Sequence, residues 1–422
     1  MSSDLVNWAG NLTFGARHVH RPATMDELRA VVAGTPRIRA LGTRHSFSDV
    51  ADTTADLVTL ENLPPVIEVD AETSTVTVGG GVSYAELARE LDSAGFALAN
   101  LASLPHISVA GACATGTHGS GVRNAVLAGS VRRLELLTAD GDLRTVQRGD
   151  PDFPGVPVSL GALGVFTTVT LDVEPAYEVR QNVYLDLPVR AALDHFQELV
   201  SDAYSVCLFT DWGSTNFTQV WIIARTDEPE PKVPGQPWFS AVPATRDVHP
   251  VITNSAASCT TQRGLPGPWH TRLSHFRPEF TPSSGAELQS EYAVPTRDAV
   301  AALDALGEIA ALIHPVLQIC EVRTVAADEF WLSPAYGADV TTIHFTWIPE
   351  DAPVREVIRL VEERLEPFGA RPHWAKLTEV PPHRIRPLYP RLADFQALAL
   401  RYDPSGKFGN AFTERYLDGG AA

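Results

Sequence analysis

From position 102 to 121 the chain reads ASLPHISVAGACATGTHGSG, a run dominated by glycine, alanine, serine and threonine. So few large side chains over such a stretch constrain the fold strongly, because small residues let a backbone approach another backbone, or a ligand, closely. Ser108 stands where a short helix can start, and Gly116, Thr117, His118 and Gly119 follow that helix. Two arrangements satisfy the pattern. In one, the helix N-terminus and its glycine-rich exit hold a pyrophosphate, since unpaired N–H groups and the helix dipole favour negative charge. In the other, the helix lies tight against a sheet, which demands small residues just as firmly. This segment alone leaves the two level. A Rossmann-type site is disfavoured, because no G-x-G-x-x-G follows a strand and VGGGVSYAE at 78–86 has the wrong spacing.

Short strands and helices alternate around this run. Thr24 and Glu27 form a capping box for a helix over 25–33 that Gly34 ends, and a strand over 37–42 follows. Alternating apolar residues predict paired strands at 66–70 and 75–81. Ser83 and Glu86 make a second capping box, for a helix that stops at Gly95. A strand begins at 131, and β-branched residues alternate again towards 175. This half reads as α+β.

Composition shifts near Glu174 and Pro175. A helical stretch at 193–200, strands at 205–212 and 217–225, and a loop-rich Pro and Gly segment at 227–285 come next. Order returns with a strand at 287–295, a helix at 296–312, strands at 316–326 and 341–349, and a helix at 354–365. This order resembles a split βαβ sheet with helices on one face. A closing strand at 373–380 and a helix at 391–401 finish the chain. A length of 422 residues predicts two lobes, each with a core, and no internal repeat is visible.

Two further features carry chemistry. LGTRHSFSDV, 41–50, is a glycine turn rich in hydroxyls directly after a strand, where backbone N–H groups can cradle a phosphate. His45 lies at its centre, although a lone histidine in a polar loop is more often an ordinary surface residue. The second feature is polar pairs spaced by two on predicted strands: Glu321 with Arg323, His344 with Thr346, and Trp374 with Lys376. Residues two apart share a face of a strand. Three strands would thus present one polar wall, either solvated or built to grip several hydroxyls.

The formal charge of −18 argues against a nucleic-acid partner, which needs clustered cations. Cys113, Cys207, Cys259 and Cys320 lie far apart and read as buried thiols, with neither a disulfide framework nor a metal site suggested. The opening MSSDLVNWAG lacks the marks of a signal peptide, and no apolar run is long enough to span a membrane, so a cytoplasmic protein is expected.

The segments LGTRHSFSD, ATGTHGSG and SLGALGVFTTVTL resemble the FAD-binding domain of vanillyl-alcohol-oxidase type flavoproteins. NLASLPHISVAGACATGTHGSG, FTPSSGAELQSEY, RTVAADEFWLSPAYG, HFTW and LYPRLADF together resemble the alditol oxidase (xylitol or sorbitol oxidase) family, collinearly over 7–412. The resemblance implies an α+β, two-lobed protein. It has a FAD-binding domain at 1–176, a substrate-binding cap at 177–376, and a C-terminal segment at 377–422 that returns to the first domain. It also implies FAD bonded covalently through its carbon-8 methyl to His45. The cofactor contacts it implies are Leu41, Gly42, Thr43, Arg44, His45, Ser46, Phe47, Ser103, Ser108, Gly111, Thr115, Gly116, Thr117, His118, Gly119, Val165 and Lys376. The bulky Arg44, where a small residue is expected, is a departure.

The same resemblance assigns Ser103, Glu321, Arg323, His344, Thr346 and Lys376 to the substrate wall. On this reading a polyol loses hydride from its terminal carbon while Lys376 and Arg323 polarise the hydroxyl. Lysine is the cation able to yield its proton. Glu321 would orient Arg323 through a bidentate pair, and His344, Thr346 and Ser103 would bind the other hydroxyls. Oxygen would be reduced to hydrogen peroxide, by a monomer with no other partner. Competing readings are an aldonolactone oxidase, an oxygen-avoiding sugar dehydrogenase, and a non-catalytic carbohydrate-binding protein.

Overall fold

Hydroxyl caps and glycine stops lay out the first lobe. The computed structural model describes residues 5–229, 237–280 and 286–418. Strand β1 (His18–His20), helix α1 (Met25–Gly34), β2 (Ile38–Ala40) and β3 (Asp56–Val58) come first, with the strands in a parallel sheet ordered β1-β3-β2. Thr24 caps α1 by accepting the Glu27 amide, but the Glu27 carboxylate takes the amide of Ala23, at 2.7 Å, instead of that of Thr24. β4 (Ile67–Asp70) and β5 (Thr75–Gly79) pair antiparallel, as their alternation predicts. α2 (Tyr84–Ser93) carries the full Ser83–Glu86 capping box and ends before Gly95, whose φ of +80° suits glycine. β6 (Phe96–Ala97), α3 (Val109–Ala114), β7 (Val131–Leu137), β8 (Leu143–Gln147), β9 (Val165–Asp172) and β10 (Glu174–Pro175) complete the lobe. Its main sheet is antiparallel, β4-β5-β9-β7-β8. Leu87, Leu91, Val109 and Cys113 of α2 and α3 share one core with Val76, Leu134 and Val169 of that sheet.

The second lobe doubles one topology. β11 (Glu178–Pro188), α4 (Val189–Asp194), α5 (Phe196–Ser201), β12 (Ser205–Thr210) and β13 (Asn216–Arg225) form a first unit. After the two-residue strands β14 (Val242–Pro243) and β15 (Gly267–Pro268) comes a second: β16 (Leu288–Pro295), α6 (Ala299–Gly307), α7 (Ala310–Ile313), β17 (Leu317–Val325) and β18 (Val340–Trp347). In each unit the third strand lies between the first two and antiparallel to both. β12 joins β17, which gives the order β11-β13-β12-β17-β18-β16. The split βαβ pattern is therefore present twice, although the sequence shows no repeat. α8 (Asp351–Leu365) and the edge strand β19 (Arg371–Pro372) follow.

Period two then sorts the side chains. Tyr292, Val322, Ile343 and Phe345 point to the helices and pack with Leu303, Leu306, Val357 and Val361. Glu291, Glu321, Arg323, His344 and Thr346 fall on the opposite face.

Three expectations need correction. β11 is concealed in the sequence because buried Gln181 interrupts its apolar alternation and Asp186 turns to a φ of +58°. The helix expected at 193–200 is two short helices broken at His195. Residues 373–380 hold no strand: the chain turns at His373, whose carbonyl accepts the Lys376 amide at 3.0 Å. All four cysteines are free and buried, and among the described residues no single helix is long and apolar enough to cross a membrane.

α9 (Pro382–Ile385), α10 (Leu392–Tyr402) and α11 (Ala411–Tyr416) fold back onto the first lobe. Arg415 pairs with Asp49 at 2.7 Å, and Asn410 donates to the carbonyls of Val50 and Asp52 at 3.1 and 2.7 Å. Arg39, buried on β2, donates to the carbonyls of Val50, Leu160, Gly161 and Phe408, three separate segments. Arg39→Met would strand these acceptors, and urea unfolding should report a loss of about 2–4 kcal/mol. A loss under about 0.5 kcal/mol, the level of a surface change, would contradict this role.

Candidate active site

β2 ends where its ladder ends, with the Leu41 amide on the Val58 carbonyl at 2.8 Å, and the chain enters the loop of His45. Arg44 adopts a φ of +62°, a strained left-handed conformation for a residue with a Cβ. Its carbonyl accepts the Trp8 amide at 2.7 Å while its side chain stays exposed, so the departure at this position does not crowd the loop. Trp8 stacks on the His45 imidazole, ring centroids 5.5 Å apart, and Asn7 donates to the Ser46 carbonyl. From the other lobe, the Ala375 carbonyl accepts the Phe47 amide at 2.7 Å, and the Ser48 hydroxyl donates to the Trp374 carbonyl at 2.7 Å. The loop is thus held on both sides. Burial lowers the His45 pKa to about 4, which keeps the ring neutral, and its buried Nδ1 has no hydrogen-bond partner in the protein.

Ser108 precedes α3 but does not cap it with its side chain. Its amide donates to Thr43 Oγ1 at 3.3 Å, joining the two loops. A Cβ on Gly42 or Gly111 would lie 3.0 or 2.8 Å from Ser108 Oγ, so both glycines leave room for that hydroxyl. Gly116 and Gly119 do something else. A Cβ on Gly116 would meet Pro334 at 2.9 Å, and one on Gly119 would meet Asn100 Oδ1 at 2.1 Å and the Leu101 carbonyl at 2.4 Å. These two belong to the packing arrangement and do not line the cavity that the other residues enclose.

That cavity, about 780 Å³, lies between the lobes. Leu41, Gly42, Thr43, Arg44, His45, Ser46 and Phe47 line it with Ser103, Ser108, Gly111, Thr115, Thr117, His118 and Val165. Facing them are Glu321, Arg323, His344, Thr346 and Lys376. Gly80 and Gly81, passed over for their spacing, line it too. A Cβ on Gly80 would strike the Phe166 carbonyl at 2.1 Å, so here glycine serves close backbone approach.

The polar wall is set by sheet register: Glu291 pairs with His344, and His344 with Glu321, across β16, β18 and β17. It is buried, not solvated: Glu291, Glu321 and Arg323 expose 2, 7 and 5% of their surface. Glu291 was not among the expected site residues, yet it is the hub. Its carboxylate contacts His118 Nε2 at 2.8 Å, Arg323 Nη2 at 3.2 Å, and Lys376 Nζ. The signal was available, since Gln289 and Glu291 alternate on β16 as the other pairs do, with Glu287 in step just before it. Arg323 also reaches Ser103 Oγ at 3.3 Å and His344 Nδ1 at 3.4 Å. The bidentate Glu321–Arg323 pair does not form. Their closest approach is Arg323 Nε to Glu321 Oε2 at 3.5 Å, and Glu321 Oε1 lies 3.5 Å from His275 Nδ1. Trp374 and Lys376 likewise share no face: Trp374 stacks on Tyr389 in the core, while the turn carries Lys376 to Glu291.

Electrostatics follow from this packing. Burial alone would raise the Glu291 pKa, but Lys376, His118 and Arg323 hold it well below the usual carboxylate range. Burial lowers Lys376, aided by the Arg323 charge and opposed by Glu291. Burial and the Lys376 charge keep His344 neutral. Burial would lower Arg323, but Glu321 and Glu291 leave it raised and therefore charged.

A family model for an FAD-binding domain matches residues 16–147, and one for D-arabinono-1,4-lactone oxidase matches 286–416. The chain is 53% identical to an alditol oxidase from a Streptomyces species, over 99% of its own length and 100% of that protein's. It is 30% identical to L-gulono-1,4-lactone dehydrogenase of Mycobacterium tuberculosis, over 99 and 100%. Among solved structures, cholesterol oxidase from B. sterolicum aligns with a TM-score of 0.79 at 16% identity, over 98% of this chain and 96% of that one. Xylooligosaccharide oxidase from Myceliophthora thermophila aligns with a TM-score of 0.70 at 12% identity, over 96 and 93%. At such identities the structural likeness is one of fold.

The packing role of Gly119 is open to test against a glycine whose Cβ position is free. Gly119→Ala should abolish soluble, folded protein, whereas Gly34→Ala, whose Cβ meets nothing within 4 Å, should express and melt as the parent does. Circular dichroism checks both, and a stable Gly119→Ala protein would refute the packing assignment.

Proposed function

The chain belongs to the alditol oxidase family of FAD-dependent oxidoreductases acting on CH–OH groups, and from that premise we propose that it oxidises the terminal hydroxyl of polyols such as xylitol or sorbitol to the aldose. FAD is held covalently by His45, and oxygen is reduced to hydrogen peroxide. The observation that carries this reading is a single cavity with a neutral imidazole, its Nδ1 without a hydrogen-bond partner, among hydroxyls and glycines on one side and a buried acid–base wall on the other.

Those residues fit the cofactor. Gly42 and Gly111 leave room for the Ser108 hydroxyl, and Thr43 and Thr117 line the same cavity as phosphate donors. His45 Nδ1 is the orphaned atom available for the covalent bond, and Trp8 fixes the plane of its ring. Bound FAD supplies a hydride acceptor that oxygen can reoxidise.

The wall supplies the rest. Ser103, Thr346 and His344 bind hydroxyls and so fix which carbon reacts. A site whose donors are buried rejects an analogue lacking a hydroxyl, because those donors are left unpaired. Arg323, held charged, polarises the reacting hydroxyl, and Lys376 takes its proton. A lactone substrate is the second reading, favoured by the match of 286–416 to the lactone oxidase model. Peroxide formed with xylitol but not with L-gulono-1,4-lactone separates the two.

Two variants test this reading. His45→Ala should bind flavin that acid precipitation releases, whereas the parent's yellow colour stays with the pellet; colour retained by the variant would refute attachment at His45. Lys376→Met should slow flavin reduction by xylitol about 10²–10⁴-fold in stopped-flow absorbance, the usual weight of a general base. An unchanged rate would remove Lys376 from the chemistry.

A further inference from the structure

Glu291 has no part in the proton transfer as proposed so far, yet it makes the closest contact of Lys376. An ammonium has three N–H donors, and a neutral amine has two and a lone pair. Lys376 Nζ contacts Glu291 on one side and His344 Nδ1, at 2.9 Å, on another. His344 Nδ1 is also 3.4 Å from Arg323 Nη2, which can only donate, while Glu291 Oε2 lies beyond hydrogen-bond reach at 3.6 Å, so Nδ1 accepts. The ring proton therefore sits on Nε2, towards Thr346 Oγ1 at 3.4 Å. Both neighbours of Lys376 are acceptors.

We propose that Glu291 is the positioning residue of the base. With His344 it occupies two N–H bonds of Lys376 and leaves the remaining tetrahedral position, facing the cavity, to the lone pair that meets the substrate hydroxyl. This rests on Lys376 acting as base. In the step the substrate O–H bond breaks and a third N–H bond forms at Nζ, while the FAD of the proposed function would take up the hydride from carbon. Lys376 leaves as an ammonium whose charge Glu291 matches. The carboxylate is itself anchored across the lobes by His118 Nε2 at 2.8 Å, so the base stands in register with the cofactor loop.

The charge of Glu291 has a signed consequence. The groups facing Lys376 are Glu291 on β16, His344 on β18, Glu321 and Arg323 on β17, His118 beyond α3, and His373 in its own turn. Of these, Glu291 contributes most to favouring the ammonium. Glu291→Gln keeps an acceptor but removes the charge, so Lys376 loses its proton at lower pH. A base must be neutral to act, so the acid limb of the rate profile must move the same way.

Two readouts test this on holoenzyme. The chain has three lysines, Lys232, Lys376 and Lys407, so protein labelled with carbon-13 at lysine Cε gives a titration that Lys376→Met assigns. In Glu291→Gln the Lys376 midpoint and the acid limb of flavin reduction by xylitol should both fall by about one to three pH units, the usual weight of a nearby opposite charge. The plateau rate should drop about tenfold or more as orientation loosens. Glu291→Asp keeps the charge but withdraws the carboxylate, so the limb should stay while the plateau falls; it is the deciding variant if Glu291→Gln fails to fold. An unmoved midpoint and limb in Glu291→Gln, or a full plateau in Glu291→Asp, overturns the inference. If Lys376→Met keeps the limb, the base assignment fails first and takes this inference with it.

Discussion

One backbone carbonyl ties the two ends of the cavity together. Ala375 has a strand behind it and a helical segment ahead, yet its oxygen is spent on the Phe47 amide of the other lobe and not on a sheet ladder. His45 lies two residues before Phe47, and Lys376 directly follows Ala375. A neutral histidine and a buried lysine therefore cannot drift apart without breaking this bond and the Ser48–Trp374 bond beside it. The distance between His45 and Lys376 is thus held by hydrogen bonds to backbone carbonyls, which on the proposed function is the distance between cofactor and base.

Around that clasp the structure buries charge on a scale that needs justification. Two carboxylates and a guanidinium, with His344 held neutral among them and the Lys376 amine beside them, sit nearly out of water against one sheet face. Apolar residues of similar size would stabilise the lobe at least as well, since desolvation offsets most of the attraction within a buried ion pair. On the proposed function, such a face serves the ligand and not stability. Inside a dry cavity each donor acts at low dielectric and is already oriented, so a bound hydroxyl meets groups that need no rearrangement. The opposite face of the same strands is ordinary core, and stability comes from there.

Much of this was legible in the sequence because it follows from periods. The caps at Thr24 and Ser83, the strand pair 66–70 and 75–81, and the polar faces of β17 and β18 are all local patterns that tertiary contacts did not override. The polar wall could be read, but not whether it faced water, since alternation looks the same either way. Glu291 carries the same alternation, but FTPSSGAELQSEY stands out as a motif before the faces of its strand do. Lys376 reaches the wall by a route that strand alternation does not describe: it shares no strand with Trp374, and a turn held by interlobe hydrogen bonds carries it there. Trp8 gave no signal, for nothing local marks a tryptophan that stacks on a loop 37 residues away. The small-residue run divides between cavity and packing, and its packing glycines meet loop residues, not a sheet. Gly111 opens towards the cavity, and Gly116 and Gly119 exist for packing.

The central claim is that one cavity holds both the cofactor at His45 and the polyol at Lys376. A crystal structure of the protein soaked anaerobically with xylitol tests it most directly. The account predicts a flavin bonded to His45 Nδ1 and a terminal hydroxyl within hydrogen-bonding distance of Lys376 Nζ. A flavin attached elsewhere, or a polyol bound away from the wall of Glu291, Arg323 and His344, would contradict it.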